Sequence, residues 1–165
     1  MTTMQVDARQ TQYLTFVVGD EEYGVGILRA KEIIEYDTVT TVPNAPAYIR
    51  GVINLRGSVV PVVDLAVKFG RQAGAVTRRS CIVVVEVKLD DSRHVMGIVA
   101  DRVSQVAELP PESIEPPPAF GAGVRSEWLL GLGRADKRFV LLLDTDRALS
   151  EKELAPLQLP ESIQS

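Results

Sequence analysis

One histidine and one cysteine narrow the reaction chemistry open to this 165-residue chain. A nucleophilic triad would have to be assembled around His94, which follows a charged turn in a hairpin, with no second imidazole to serve as base. A zinc site would need Cys81 together with carboxylates. Cys81 begins an apolar run, where a small buried hydrophobe is the ordinary role for such a residue. No catalytic or metal-ligating residue is assigned, and no cofactor is expected. Gly24-Val25-Gly26, Gly121-Ala122-Gly123 and Gly131-Leu132-Gly133 have the composition of phosphate loops. They lack the following lysine or the strand-to-helix setting, so they read as turns and close backbone approaches. Asp20-Glu21-Glu22 and Asp90-Asp91 read as solvated hairpin turns rather than general acids and bases.

What remains is binding chemistry. Glu32 and Arg56 each lie in an otherwise apolar segment. Either they form a salt bridge joining the two segments, or each is an isolated surface charge. A surface pair contributes only about 0–1 kcal/mol, so if these residues matter the reason is recognition. Gly57 supplies the positive φ of a tight reversal, which leaves Arg56 at a turn edge where its fixed donors can reach a carboxylate. Val103 and Val106 also have two readings, as core residues or as the wall of an apolar groove open to a partner helix.

The elements that must position these side chains are strands. Residues 48–65 read as two strands about the Arg56-Gly57-Ser58 break, the second being the β-branched run Val59-Val60-Pro61-Val62-Val63. Upstream, residues 13–18 and 23–27 form a hairpin across Gly19 to Glu22. Residues 28–36 fit a helical turn as well as a strand, and a brief turn running into a strand is favoured. Two prolines in Val42-Pro43-Asn44-Ala45-Pro46 fix an extended loop. One helical turn is expected at 65–69. The small and charged stretch 70–79 is the best boundary between two halves. Beyond it, 81–87 and 95–100 are strands, a proline-heavy loop follows Leu109, 139–143 is a strand, and a terminal helix is expected from Asp146 to about Leu157.

The halves repeat one another. Gly24 aligns with Gly97 at an offset of 73, which brings Arg29 onto Arg102, Glu32 onto Gln105 and Ile33 onto Val106. Later, Tyr48 aligns with Trp128, Gly51 with Gly131 and Asp64 with Asp144, all at an offset of 80. Two copies of one all-β unit are implied, each of about five short strands, which suits small closed barrels sharing a dry seam. The expected organisation is a leader at 1–12, one domain over 13–149 with subdomains at 13–75 and 80–149, and a C-terminal helix and tail at 150–165.

Composition sets the outer limits. With 18 Lys+Arg against 22 Asp+Glu and a formal net charge of -4, the chain offers no cationic surface to a phosphate backbone, and nucleic acid is not an expected partner. A hydrophobic share of 45% allows a sizeable core. A lone cysteine forms no intramolecular disulfide, and the amino terminus lacks the order of a signal peptide, so the cytoplasm is the default. No apolar run approaches the roughly 20 residues of a spanning helix.

At this point the residues resemble a family. Tyr-Leu-Thr-Phe at 13–16, Glu-Glu-Tyr-Gly-Val at 21–25, Lys-Glu-Ile at 31–33, Val-Pro-Asn-Ala-Pro at 42–46, Gly-Val-Ile-Asn-Leu-Arg-Gly at 51–57, Val-Pro-Val-Val-Asp-Leu at 60–65 and Gly-Ile-Val-Ala-Asp-Arg-Val at 97–103 resemble, in order and spacing, the CheW-like coupling proteins of bacterial chemotaxis. The resemblance implies two five-stranded, SH3-like β-barrels on a hydrophobic seam. It implies a non-enzymatic adaptor tying the regulatory domain of the histidine kinase CheA to the cytoplasmic tip of methyl-accepting chemoreceptors. It carries over Glu32, Ile33, Arg56, Gly57, Val103 and Val106 as receptor-binding, and Val42, Pro43, Ala45, Pro46 and Phe120 as kinase-binding. Alternatives within the family are an adaptor of a parallel pathway controlling pilus-based motility and a detached regulatory domain of a kinase.

Overall fold

The computed structural model describes residues 11–89, 92–117 and 126–149. Eleven strands and two one-turn helices follow in order among these residues. They are β1 (Gln12–Val18), β2 (Glu21–Gly26), β3 (Ala30–Glu35), β4 (Ile49–Leu55), β5 (Ser58–Val63), α1 (Leu65–Lys68), β6 (Cys81–Leu89), β7 (Ser92–Ala100), β8 (Arg102–Glu108), β9 (Ile114–Glu115), β10 (Leu129–Ala135), β11 (Arg138–Leu143) and α2 (Thr145–Ala148). The all-β expectation holds, with two sheets and only short helices. Residues 28–36 resolve as the favoured turn and strand, and the helical turn after Asp64 is present as α1. The strand β8 was not anticipated, because its sequence Arg-Val-Ser-Gln-Val-Ala-Glu carries too many polar residues to stand out as a strand.

The strands form a five-stranded sheet, β3-β6-β7-β5-β4, and a six-stranded sheet, β8-β1-β2-β11-β10-β9. The sixth strand is the two-residue β9, which adds to an otherwise matching five. Under the sequence repeat the two orders are the same: β8, β1, β2, β11 and β10 stand where β3, β6, β7, β5 and β4 stand in the other sheet. The parallel pairings, which among the described residues are those of β5 with β7 and of β11 with β2, make this explicit. Val62 pairs with Gly97 in one sheet, and Leu142 pairs with Gly24 in the other. Each is the image of the other under the offsets of 80 and 73. The two copies have therefore exchanged their first hairpins. The stretch 70–79 separates the copies of the repeat but not the sheets, and the expected subdomains at 13–75 and 80–149 are corrected accordingly: β1 and β2 belong with β8 to β11, and β6 and β7 belong with β3 to β5.

Burial explains why the exchange holds. In β6, Val83, Val85 and Val87 enter a large central core with Leu14, Phe16, Val25, Val63 and Ile98, drawn from both sheets. The alternate residues Ile82 and Val84 enter a second core inside the five-stranded sheet with Ile53, Val60, Val62 and Val99. A strand buried on both faces reads as a continuous apolar run, as this one does. Tyr13, Ala107, Leu109, Val140 and Leu142 fill the six-stranded sheet. Across the seam runs a ladder of rings, Phe16 to Tyr23 at 6.1 Å, Tyr23 to Phe69 at 5.7 Å and Phe69 to Trp128 at 5.2 Å between centroids.

The terminal helix expected from Asp146 to about Leu157 is corrected to the single turn α2, which ends at its C-cap Leu149; residues from 150 on lie outside the described residues. So do residues 1–10 of the expected leader, although Gln12 already belongs to β1.

Candidate functional site

Glu32 and Arg56 come from opposite edges of one sheet. β3 and β4 are the two outer strands of the five-stranded sheet, and Arg56 occupies the turn that joins β4 to β5. A shift of register between Ala30 and Glu32 against β6 marks a bulge, which aims Glu32 to the same half-buried side as Ile34 and leaves Lys31, Ile33 and Glu35 exposed. The Arg56 guanidinium donates to both carboxylate oxygens of Glu32, with the longer bond, Nη1 to Oε1, at 3.4 Å. Together with the backbone bridge between Thr40 and Val52, this fork joins the free edges and closes the sheet on itself. The salt-bridge reading of the two residues is the one the structure supports.

The turn itself is unusual. Arg56 has φ 51° and Gly57 has φ 88°, the two left-handed positions of a two-residue hairpin loop. Glycine suits the second. An arginine in the first costs roughly 1–2 kcal/mol relative to ordinary backbone, partly offset where the Asn54 side chain accepts the Gly57 N–H at 2.9 Å. The equivalent place in the other copy holds Asp136, also left-handed at φ 56°, a residue type that tolerates this conformation better. Arg56 is set in a strained position with its side chain 72% exposed, while Glu32 is 28% exposed. The hydrogen bonds from Arg56 hold the Glu32 carboxyl below the usual carboxylate range, against a smaller opposing effect of burial and with added help from the charge of Arg56. Beside the pair, between β3 and β4, lies an open cleft of about 480 Å³ walled by Ile34, Thr40, Val52, Ile53, Asn54 and Ile82.

The other expected contact residues fall in three places. Ile33 neighbours Glu32 on β3 and is 46% exposed. Val103 and Val106 are on β8, an edge of the six-stranded sheet, and no described contact brings them to the Glu32–Arg56 pair. Val103 is half-buried against the central core, and Val106 is 49% exposed. Val106 is the repeat's image of Ile33, so each sheet presents one bare apolar residue on the corresponding edge strand. In the loop before β4, Val42 is buried, Pro43 is exposed, and Ala45 packs on the central core. The loop is pinned by the bridge at Thr40 and by Ile49 N–H donating to the Pro46 carbonyl at 2.9 Å. Phe120 lies outside the described residues, as do Gly121 and Gly123.

His94 is exposed on β7 opposite Val87. Cys81 is buried, and burial pushes its thiol pKa up, with the charge of Asp101 adding to the effect. Among the described residues no three His, Cys, Asp or Glu side chains are grouped as a metal would need. The acids of the first turn are less solvated than expected: Glu21 accepts from the Tyr23 hydroxyl and pairs with Arg71, and Glu22 pairs with Arg138. Their partners lie 50 and 116 residues away in sequence, so no local signal could have shown them.

One further polar centre escaped the sequence. Asp146 in α2 accepts both outer nitrogens of Arg29, at 2.7 and 3.0 Å, and the backbone N–H of Lys88 at 2.8 Å. Arg29 lies in the crossover 27–29 between the sheets and Lys88 on β6, so one carboxylate ties the end of the six-stranded unit to the five-stranded sheet.

Comparison with known proteins follows the same lines. The model of the CheW-like domain matches residues 12–153. The chemotaxis protein CheW of Klebsiella aerogenes is 42% identical over 144 residues, covering 87% of this chain and 84% of that protein. That of Treponema pallidum is 31% identical over 93% of this chain and 91% of its own length. The crystal structure of the scaffolding protein TtCheW from Thermoanaerobacter tengcongensis superposes with a TM-score of 0.76 at 26% identity, over 87% of this chain and 90% of the other. No helix among the described residues is long and apolar enough to cross a membrane. A duplicated pair of sheets, a matching domain model over most of the length and relatives of this likeness lead to one conclusion: the chain belongs to the CheW-like family and is a non-enzymatic scaffold of chemotaxis signalling.

Proposed function

We propose that this scaffold works in the cytoplasm, coupling the tip of a methyl-accepting chemoreceptor to the regulatory domain of the histidine kinase CheA. The receptor is gripped along the edge made by Glu32, Ile33, Arg56 and Gly57 and by the apolar residues Val103 and Val106 of the other sheet. The kinase is taken on the pinned loop through Pro43, Ala45 and Pro46, which the buried Val42 anchors from beneath, with Phe120 as a further contact. The observation that carries the reading is Arg56: a bulky cation in a strained left-handed turn, mostly exposed, with its donors aimed by a carboxylate from the opposite edge. Stability gives little reason for that arrangement, since exposed pairs are worth about 0–1 kcal/mol. Recognition of a polar partner group does.

The coupling is positional. Receptor signalling shifts the kinase between states only in so far as the contacts made by the scaffold differ between those states.

The test is binding. Arg56→Glu is expected to leave the circular dichroism spectrum and melting temperature near wild type while weakening co-purification of the receptor by about tenfold or more. Adding Glu32→Arg should recover part of that loss. Wild-type affinity for the receptor in Arg56→Glu would remove Arg56 from the contact, and a double-mutant cycle with zero coupling would remove the pair.

A further inference from the structure

The loop that carries Pro43, Ala45 and Pro46 leaves β3 after Glu35 and returns as β4 at Ile49. One side chain holds its two feet together. Arg50, the second residue of β4, donates from Nη1 to the Tyr36 hydroxyl at 3.2 Å and lies over the Tyr36 ring at 5.9 Å, closing the chain across 14 positions. The same guanidinium donates from Nε to the buried Asp64 at 2.9 Å and from Nη2 to the Gly74 carbonyl at 3.3 Å. Its nitrogens therefore go to separate segments: the start of the loop, the cap of α1 and the stretch 70–79. The returning foot is fixed to the same aspartate, whose N–H donates to the Tyr48 carbonyl at 2.7 Å.

The duplication shows what the fold itself requires here. The offset of 73 carries Tyr36 onto Leu109, and the offset of 80 carries Arg50 onto Leu130. Leu109 belongs to the core of the six-stranded sheet and Leu130 packs against it. The backbone tie is kept, with Asp144 N–H donating to the Trp128 carbonyl at 2.9 Å. One copy of the motif closes with apolar side chains where the other uses a guanidinium and a phenol. Apolar replacements for a buried polar network are often neutral or stabilising, so folding alone gives no reason for Arg50. A fixed loop does, because a partner that binds a loop already held in place is spared the cost of ordering it. Taking the loop 42–46 as the seat of the kinase, we propose that Arg50 and Tyr36 are positioning residues for it. They set the affinity for the kinase by holding the feet of the loop together. The receptor edge has its own fastening in the Glu32–Arg56 fork and does not depend on them.

The test measures dissociation constants of the full chain for the kinase regulatory domain and for a receptor tip fragment, beside amide hydrogen exchange of the free protein. Tyr36→Phe, which removes only the hydroxyl, is expected to weaken kinase binding about threefold to tenfold, the scale of one hydrogen bond. Tyr36→Leu with Arg50→Leu, the pair of the other copy, should weaken it by about tenfold or more. In both, receptor affinity should stay within about twofold of wild type. The Ile49 amide, which donates to the Pro46 carbonyl at 2.9 Å, should exchange about tenfold faster. Wild-type kinase affinity or an unchanged Ile49 exchange rate in Tyr36→Phe would overturn the role of the pair, even if the double variant did not fold. So would an equal loss of receptor affinity, which marks a loosened fold rather than a displaced loop. Pro43→Glu, at an exposed position of the loop, tests the kinase seat separately. Unchanged kinase affinity there would remove the loop as that seat, whereas a loss there beside wild-type affinity in the pair variants would remove only Arg50 and Tyr36.

Discussion

Asp64 and Asp144 start the two short helices in the same way and are served differently. Each caps its helix, Asp64 accepting from Val67 N–H at 3.3 Å and Asp144 from Arg147 N–H at 3.1 Å. Asp64 also takes the Arg50 Nε–H at 2.9 Å, and Arg50 goes on to the Tyr36 hydroxyl and the Gly74 carbonyl. The repeat puts Leu130 where Arg50 stands, so Asp144 lacks that partner, and among the described residues its ion pair is with Arg147 at 3.9 Å. Burial pushes the Asp144 carboxyl above its ordinary value, opposed by the Arg147 N–H and reinforced by the charge of Asp146. Asp64→Asn is therefore expected to cost about 2–3 kcal/mol in urea unfolding, the scale of a lost charged hydrogen bond that leaves Arg50 short of a partner. Asp144→Asn should cost less, under about 1 kcal/mol. The sign of the pH dependence is fixed. A carboxyl whose folded pKa is raised binds its proton more tightly in the fold, so its ionisation penalises the native state above that pKa, and the penalty is relieved as pH falls towards the unfolded value. Wild type should gain on Asp144→Asn as the medium is acidified from pH 7 through the raised pKa, and unfolding of both proteins across that interval measures it.

At the scale of elements, Gly51 shows what the strands demand. Its φ of 150° and its register shift against β5 bring its α-carbon onto the Thr40 carbonyl, where a methyl group would collide with backbone. Gly131 makes the same approach to Glu115 in the other copy. Gly51→Ala is expected to destabilise by about 2–3 kcal/mol, seen as a lower melting temperature, because backbone cannot move aside as a side chain can. Local signals of this kind were legible: the hairpins, the Arg56-Gly57 turn, the proline loop and the helical turns all announce themselves in residue types. The Glu32–Arg56 pair was legible too, as charges stranded among apolar neighbours. What the chain could not show was partnership at long range. The parallel contacts of β5 with β7 and of β2 with β11 follow from burial of both faces of the central strands, not from any short motif. β8 hid behind its polar residues, and Asp146 looked like one more acid at a helix start.

Taken whole, the molecule is two copies of a motif that each complete the other. A fragment ending at residue 75 would carry β1 and β2 without the sheet they belong to, and a fragment beginning at residue 80 would carry β6 and β7 likewise. Each fragment alone is expected to give the narrow amide dispersion of an unfolded chain in NMR spectra, and an equimolar mixture to recover dispersed signals. A folded fragment would show that the exchanged hairpins are dispensable. Unfolding of the intact chain should be a single transition, since the central core draws on both sheets.

The exchange has a mechanical consequence. Among the described residues the backbone passes from one sheet to the other only through residues 27–29 and through Asp101, and both passages are fastened, by Arg29 to Asp146 and by Asp101 to the Gly19 N–H at 2.8 Å. Swinging the lobes apart would have to break both fastenings and open the core that the two sheets share. A pull applied to one lobe is carried into the other as tension along covalent chain, which makes the molecule a gauge block between the proteins it touches rather than a lever.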